Sequence, residues 1–360
     1  MKTPSGRSPA PRPVAGPRRL SALALGLALV GVAACALAAA AADAPSPPDA
    51  RKEAAMANPK SGPVPGKIPV ILDTDIGDDI DDTWALVMLL KSPELDLKLV
   101  VTDFGKAPYR AKVAARILEV AGRTDVPVGL GIGQAKGEGG QAAWVKDYDL
   151  AKYPGKVHED GVQALVDTIM KSPERITLIC IGPVQTARAA LEREPRIAQK
   201  ARFVGMHGSV RKGYDGKKDP EAEWNVKADP TACRAILSAP WDVTITPLDT
   251  CGLVRLRGEK YAAVRDSKDP VAVALIENYR VWCGKDPQRA DKASSTLFDT
   301  VAAYLAFTDE LLKIESLGIR VTDNGMTVID PAAKVMRVAT EWKDMAAFED
   351  LLVKRLTGGQ

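Results

Sequence analysis

This sequence has little histidine, and it lacks cysteines at metal-binding spacing. Only two of its 360 residues are histidine, and its five cysteines contain no CxxC spacing, which excludes a zinc-finger-type metal site. The net charge is +3, with much of the excess near the N-terminus, so the rest of the chain is close to neutral. A nucleic-acid-binding surface is therefore excluded as well. The composition, 46% apolar and 26% charged, is that of a packed globular protein.

The N-terminus has the layout of a secretory signal rather than of a folded domain. A basic segment precedes an apolar run at residues 20–42, and a proline-rich stretch follows. Residues 1–42 are therefore predicted to be a signal peptide or a lipoprotein signal, and residues 43–66 a flexible linker. We expect the folded domain at residues 67–357.

The processing of this leader stays open between three alternatives. The stretch Val-Ala-Ala-Cys ending at Cys35 is similar to a bacterial lipobox, in which Cys35 would carry the lipid. Cleavage after the alanine run that ends at Ala42 is the second alternative. The apolar run is also long enough to remain as a membrane anchor. In each case we expect an exported protein, either periplasmic or membrane-anchored.

The most informative stretch is the acidic loop at residues 73–82. An apolar run at residues 68–72 leads directly into it, and a helical pattern follows at once. Carboxylates this close together repel one another, and Ca²⁺ or Mg²⁺ resolves the conflict because these ions take oxygen ligands. The alternative is a solvated loop with an aspartate as helix N-cap. The acids are Asp73, Asp75, Asp78, Asp79, Asp81 and Asp82.

Strand-like and helix-like segments alternate after the acidic loop. This alternation predicts an α/β fold with a mainly parallel open sheet and helices on both faces, followed by a small β-rich C-terminal extension. The predicted strands are 96–102, 126–130, 175–181, 202–206, 242–247, 314–322, 325–329 and 334–340, and the predicted helices are 108–121, 161–171, 184–194, 230–238, 270–282, 295–307 and 345–356.

Six segments in order resemble the inosine-uridine-preferring nucleoside hydrolase family. The acidic loop is similar to that family's D-x-D-x-G-x-D-x-D-D variant, and residues 181–183, Ile-Gly-Pro, are similar to its T-G-P turn. Residues 203–208 resemble its M-G-G turn, and residues 222–225, Ala-Glu-Trp-Asn, its A-E-F-N segment. Residues 247–250 are similar to P-L-D-x-T, and residues 298–299 fall where the family has His-Asp.

The resemblance implies a role for each matching residue. Asp75 would be the catalytic base and a Ca²⁺ ligand, with Asp82, Asp299 and the carbonyl of Ile181 as the other ligands. Asp79 or Asp81 would hold ribose hydroxyls, and the two-residue insertion in the acidic loop leaves that choice open. The remaining substrate-binding candidates are Met206, Glu223 and Asn225.

Two positions depart from the family pattern. Phe298 stands where the family has the histidine that protonates the leaving base, so the donor must come from elsewhere. His158 is one candidate for this catalytic role, and a structural or surface role for it is equally open. Lys106 stands where the family has an asparagine that holds ribose, and a cation there could meet a carboxylate or phosphate on the substrate.

The function expected from these residues is calcium-dependent hydrolysis of the N-glycosidic bond of a nucleoside or related N-riboside. Carboxylates suit the oxocarbenium-like transition state and a positioned water. A homo-oligomer is expected from the resemblance. One alternative is a non-catalytic metal-containing ribose or nucleoside binder. Another is a phosphotransferase of the haloacid dehalogenase type, although Gly77 stands where that family has Thr or Val.

Overall fold

A computed structural model describes residues 66–133 and 137–358. The predicted leader and linker therefore lie outside the described residues, except for Gly66. The strands are β1 Ile68–Thr74, β2 Leu95–Thr102, β3 Val128–Gly129, β4 Val157–His158, β5 Ile176–Cys180, β6 Ala201–Met206, β7 Val243–Thr246, β8 Leu312–Val321, β9 Thr327–Ile329 and β10 Val335–Trp342.

Helices connect most of these strands. They are α1 Asp81–Leu90, α2 Ala107–Val120, α3 Gly161–Lys171, α4 Gln185–Arg193, α5 Ile197–Lys200, α6 Trp224–Ala228, α7 Pro230–Ser238, α8 Gly258–Arg265, α9 Pro270–Trp282, α10 Arg289–Lys292, α11 Thr300–Leu305 and α12 Met345–Leu356. Short 3₁₀ turns lie at Ala142–Val145, Leu150–Lys152, Tyr214–Gly216 and Cys251–Leu253.

All ten described strands form one sheet in the order β4-β3-β2-β1-β5-β6-β7-β10-β8-β9. The strands from β4 to β10 in this order are parallel, while β8 is antiparallel to both β10 and β9. The chain builds outward from β1 in one direction and then resumes at β5 on its other side. This switch point between β1 and β5 is where open α/β sheets bind ligands, beyond the carboxyl ends of the strands.

Alternating residues of β1 belong to two hydrophobic cores, one on each face of the sheet. Val70 and Leu72 pack with α1, α2, α9 and α12 on one face, and Ile71 packs with α3, α4 and α7 on the other. A strand buried on both faces reads as a continuous apolar run, and residues 68–72 do. The α/β fold predicted from the sequence is confirmed.

The C-terminal strands complete the main sheet instead of forming a separate unit. β10 pairs in parallel with β7 through Arg337 and Val338, and β8 and β9 extend the sheet beyond it. The predicted β-rich extension is therefore the sheet's own far edge. The described cysteines are free thiols, and three of the four are buried.

One predicted helix boundary is wrong. The helix expected at residues 295–307 begins only at Thr300. The preceding segment is held in an extended path because Leu297 N–H donates to the carbonyl of Val254 at 2.9 Å and Ser294 N–H to that of Leu256 at 3.1 Å. These bonds to a neighbouring loop set where Asp299 enters the sheet's ligand-binding edge.

Within the described ranges, no helix has both the length and the apolar character needed to span a bilayer.

Candidate active site

A pocket of about 310 Å³ opens at the carboxyl ends of β1, β5 and β6. It lies over the switch point between β1 and β5, where the topology predicts a ligand site. Carboxylates and aromatic rings dominate its lining. The lining residues are Asp75, Asp78, Asp79, Asp81, Asp82, Phe104, Ile181, Met206, Tyr214, Glu223, Trp224, Asn225, Phe298 and Asp299.

Four buried aspartates, here called the carboxylate cluster, lie at one end of this pocket: Asp75, Asp81, Asp82 and Asp299. Oxygens of Asp81, Asp82 and Asp299 lie within 4.8 Å of one another. Burial, followed by repulsion from neighbouring carboxylates of the acidic loop and of the cluster, raises the pKa of each of the four well above its usual range. Buried and mutually repelling carboxylates fit a hard divalent cation, which supplies the charge that they lack.

The turn after β5 brings a backbone carbonyl to the carboxylate cluster. A Cβ on Gly182 would lie 3.1 Å from both the amide nitrogen and a carboxylate oxygen of Asp75, so glycine permits this close approach. The Asn225 amide donates to the carbonyls of Ile181 and Met206, each at 3.0 Å. Both its N–H groups are thereby used, which leaves its Oδ1 as the part of the amide that can accept a hydrogen bond.

His207 fixes the same turn from behind. Its Nε2 lies 3.0 Å from the carbonyl oxygen of Gly182, and the ring is fully buried. Burial lowers the pKa of His207 to about 4, so the imidazole is neutral and donates to that carbonyl. This residue supports the backbone that presents Ile181 and does not line the pocket.

A buried arginine holds the inserted part of the acidic loop. Arg110 of α2 donates to Asp78 at 2.9 Å and to the carbonyl of Ile76 at 3.0 Å, and it also caps the carbonyls of Phe104 and Gly105 at 2.9 Å. Lys106 donates to the other oxygen of Asp78 at 2.7 Å. The two cations therefore compensate Asp78, and the positive charge of Arg110 also acts on Asp75 and Asp82.

Side chains from α9 and its neighbours tie down the rest of the insertion. Trp282 donates to the carbonyl of Asp78 at 2.8 Å, and Gln141 donates to that of Asp79 at 2.7 Å. Tyr109 donates to the carbonyl of Gly77 at 2.7 Å. Gly77 adopts φ +115°, a left-handed conformation that favours glycine. The acidic loop is thus held by specific hydrogen bonds from neighbouring side chains and is not a solvated turn.

Glu223 lies on the pocket wall next to Asn225. Its oxygens accept from the N–H groups of Gly208 at 2.9 Å and Asn225 at 2.7 Å, so it also caps α6. Burial outweighs these hydrogen bonds and raises the pKa of Glu223 to about 7. These bonds hold the carboxyl group of Glu223 in place on the pocket wall.

Four rings, here called the aromatic set, line the rest of the pocket: Phe104, Tyr214, Trp224 and Phe298. They form two edge-to-face pairs. The rings of Phe104 and Trp224 are 6.5 Å apart, and those of Tyr214 and Phe298 are 6.0 Å apart. Trp224 is 57% exposed, an unusual state for so large an apolar ring, and it is free to contact a flat ligand.

Most of the residues selected from the sequence meet in this one pocket. The structure brings together Asp75, Asp79, Asp81, Asp82, Ile181, Met206, Glu223, Asn225 and Asp299. Two of the selected residues do not line it. Lys106 is engaged with Asp78 at its border. His158 belongs to β4, the outermost strand on the β2 side of the sheet, with Lys156 and Asp167 as its charged neighbours.

The sequence reasoning missed Arg110 and Tyr214. Arg110 shares a helix face with the buried residues Ala107, Ala114 and Ile117, so its place on the apolar stripe of α2 was a usable signal. Tyr214 lies in an irregular segment with no periodicity, and nothing in the sequence indicated that it reaches the pocket.

The pocket lies at the switch point of an open α/β sheet, where such folds bind small molecules. Its buried carboxylates suit a site that binds a small molecule together with a metal ion. A family model described as inosine-uridine preferring nucleoside hydrolase matches residues 70–350. The chain belongs to the inosine-uridine-preferring nucleoside hydrolase family. It is a hydrolase that acts on N-glycosyl compounds.

Individual relatives agree with this assignment. The pyrimidine-specific ribonucleoside hydrolase RihA of Citrobacter koseri is 27% identical over 319 residues, covering 80% of this chain and 98% of the relative. Probable uridine nucleosidase 2 of Arabidopsis thaliana is 25% identical, covering 76% and 89%. The solved structure of the inosine-uridine preferring nucleoside hydrolase from Bacillus anthracis shares the fold, with a TM-score of 0.65 at 19% identity, covering 81% and 99%.

Proposed function

We propose that this protein is an exported, calcium-dependent N-ribohydrolase that cleaves an N-riboside into ribose and its base. The observation that carries the proposal is the convergence of Asp75, Asp82, Asp299 and the Ile181 turn on one end of a pocket whose wall holds Glu223 and Asn225. The residues that would hold calcium are Asp75, Asp82, Asp299 and the carbonyl of Ile181. Calcium bound there would supply positive charge that makes a water a better nucleophile at neutral pH.

The protein's own residues then divide the work. Asp75 accepts a proton from the attacking water. Asp81, Glu223 and the Oδ1 of Asn225 accept hydrogen bonds from ribose hydroxyls and orient C1′ toward that water. The nearby negative charge stabilises the oxocarbenium-like transition state. Asp79, more exposed at the pocket mouth, is the second candidate for a ribose contact.

The test combines metal analysis with a reducing-sugar assay. Protein prepared without chelator is analysed for bound calcium, magnesium, manganese and zinc, and then assayed on uridine, cytidine, inosine, adenosine and a pyridinium riboside. We expect calcium at about one ion per chain and release of ribose that chelator abolishes. Absence of ribose release from every riboside, with calcium bound, contradicts the proposal.

A non-catalytic ribose or nucleoside binder is the second candidate. Phe298 favours it, because this phenyl ring lies at the pocket where the family resemblance places the proton donor. Calorimetry with ribose distinguishes the two functions: binding of ribose together with no turnover of any riboside supports the binder.

Export is proposed from the leader at residues 1–42. Expression of the full chain in a bacterial host, followed by fractionation and mass determination of the mature N-terminus, decides between cleavage after Ala42, lipidation at Cys35 and retention as an anchor. Cys35→Ser is the matched variant, because it removes only the lipidation site. Full-length protein in the cytoplasm contradicts export.

A homo-oligomer is proposed from the family resemblance. Light scattering on the purified folded domain, loaded with calcium, measures its molar mass directly, and a monomeric mass contradicts this assembly.

A further inference from the structure

The pocket combines a strong excess of negative charge with an absence of acids suited to a leaving base. Among the described lining residues there are seven carboxylates and no lysine, arginine or histidine. Asp78 is paired with Lys106 and Arg110, and a divalent ion would offset two more charges. Carboxylates still outnumber cations, so the pocket attracts a positively charged ligand.

No histidine, lysine or arginine lines the pocket in the described part of the chain, so none of these side chains can protonate a leaving base. The described histidines, His158 and His207, do not line the pocket, and Phe298 occupies the position beside Asp299. Both oxygens of Glu223 already accept backbone N–H groups. Tyr214 carries the only hydroxyl among the described lining residues. That oxygen accepts from the N–H of Trp224 at 2.8 Å, which leaves its own O–H able to donate. Burial raises the pKa of Tyr214, so this hydroxyl is a weak acid.

The aromatic set also favours a positively charged ligand, through a different interaction. Phe104, Tyr214, Trp224 and Phe298 line the pocket in two edge-to-face pairs. Ring faces attract cations through their quadrupoles, and they stack on flat heterocycles without demanding a hydrogen-bond pattern. A pocket with carboxylates at one end, aromatic rings and, among the described lining residues, no acid stronger than the Tyr214 hydroxyl beside those rings suits a flat cation joined to ribose.

We propose that the preferred substrate is an N-riboside whose base already carries a positive charge on its ribosylated ring system, as a pyridinium riboside does. This rests on the proposed N-ribohydrolase function and narrows its substrate class. A neutral nucleoside expels its base as an anion unless an acid protonates it. A cationic base needs no such acid.

The step balances without a further reactant. The C1′–N bond breaks, and its electron pair goes to the ring nitrogen, which becomes neutral. Water oxygen bonds to C1′ as positive charge develops there, and Asp75 accepts a proton from that water. The products are ribose, a neutral base and one proton. Phe298 contributes apolar surface beside the leaving ring and takes no part in proton transfer.

The kinetic test compares charged and neutral substrates on the calcium-loaded protein. Nicotinamide riboside and 7-methylguanosine are the cationic substrates, and uridine, inosine and guanosine the neutral ones. We expect kcat/KM to be about 100-fold higher for the two cationic substrates. General acid catalysis typically contributes such a factor, and without it the neutral substrates react more slowly. Equal or higher kcat/KM for uridine or inosine overturns the inference and leaves the proposed function intact. No hydrolysis of any riboside sinks the proposed function instead.

Pyridinium ribosides are also intrinsically more labile, so a variant separates the enzyme's contribution. Phe298→His restores an acid beside Asp299, and Phe298→Leu is its control. We expect Phe298→His to raise kcat/KM for uridine about tenfold, with activity that falls as pH rises through the imidazole pKa. Phe298→Leu should give no gain. A gain in both variants, or in neither, counts against the inference.

Two further measurements need no variant at Phe298. Titration of the wild-type protein with 1-methylnicotinamide and with nicotinamide compares a cation with its neutral analogue, and we expect about tenfold tighter binding of the cation. Equal affinities contradict the inference. Tyr214→Phe tests the alternative donor: a loss confined to neutral ribosides would make Tyr214 the acid and overturn the proposal, whereas we expect any loss to affect both substrate classes alike.

Discussion

The carboxylate cluster and the aromatic set share one pocket but are built in different ways. Each member of the carboxylate cluster follows a strand or opens a helix at the sheet's carboxyl edge, so the fold itself fixes its place. All four of these aspartates are buried. The aromatic set is more exposed: Phe104, Tyr214 and Phe298 are half-buried, and Trp224 is 57% exposed. The difference teaches that a change in the carboxylate cluster disturbs buried charge, whereas a ring at the other end can be replaced with less effect on the fold.

The largest expected effect comes from breaking the carboxylate cluster at Asp75. Asp75→Asn removes a proton acceptor and a metal ligand while keeping the shape of the side chain. We expect kcat to fall about 10⁴-fold, with weaker calcium binding measured by calorimetry. Asp266→Asn is the control, since Asp266 pairs with Arg265 on the surface. Activity near that of the wild type in Asp75→Asn would remove this residue from its role.

The second prediction concerns Arg110, the buried cation that pairs with Asp78. Arg110→Met leaves four hydrogen-bonded oxygens without their buried donor, so we expect a loss of about 4 kcal/mol in the free energy of unfolding. Lys106→Met removes the other, more exposed partner of Asp78 and should cost less than about 1 kcal/mol. Equal losses in denaturant titrations would show that burial of Arg110 contributes nothing.

The third prediction uses pH on metal-free protein. The raised pKa of Glu223, about 7 against a usual 4.5, means that the folded state binds more protons than the unfolded state between these values. Stability is therefore greatest below pH 4.5 with respect to this group and falls as pH rises through 7. We expect a loss on the order of 3 kcal/mol across this window.

The carboxylate cluster acts in the same direction, because its pKa values are also raised. Calcium should remove much of this loss by supplying the missing positive charge. Thermal unfolding at a series of pH values, with calcium and with chelator, measures both effects. Metal-free protein that gains stability from pH 5 to pH 7 would contradict the assigned burial of these groups.

The smallest expected effect lies in the aromatic set. Trp224→Leu shortens an exposed ring that can stack on the base, and we expect KM to rise about fivefold, or ~1 kcal/mol, with kcat nearly unchanged. Val335→Ala, at another exposed apolar residue, is the control. A fall in kcat as large as that of Asp75→Asn would erase the distinction between the two parts of the site.

Much of this architecture was readable from the sequence because local patterns and tertiary contacts agree. The apolar run before the acidic loop is a strand buried on both faces, and the helices at 270–282 and 345–356 match α9 and α12. Local patterns fail where long-range contacts decide. The late start of α11 depends on a hydrogen bond from Leu297 to Val254, which is close in space but distant in sequence. The approach of Tyr214 to the pocket depends on a segment without periodicity.

The insertion in the acidic loop shows the same limit at the site. Counting acids indicated a cation, but not which aspartates would be compensated by protein. The structure assigns Asp78 to Arg110 and Lys106 and leaves Asp81 grouped with Asp82 and Asp299. That division follows from how α2 packs beneath the loop, a contact that no single segment of sequence encodes.

The position of β10 has a consequence for biosynthesis. This strand lies between β7 and β8, and α12 packs beside α1 and α8, with Arg355 reaching Glu94. A chain that has not yet added β10 presents an open β7 edge, which can pair wrongly with another strand. Truncation anywhere before residue 335 would therefore yield aggregation-prone products.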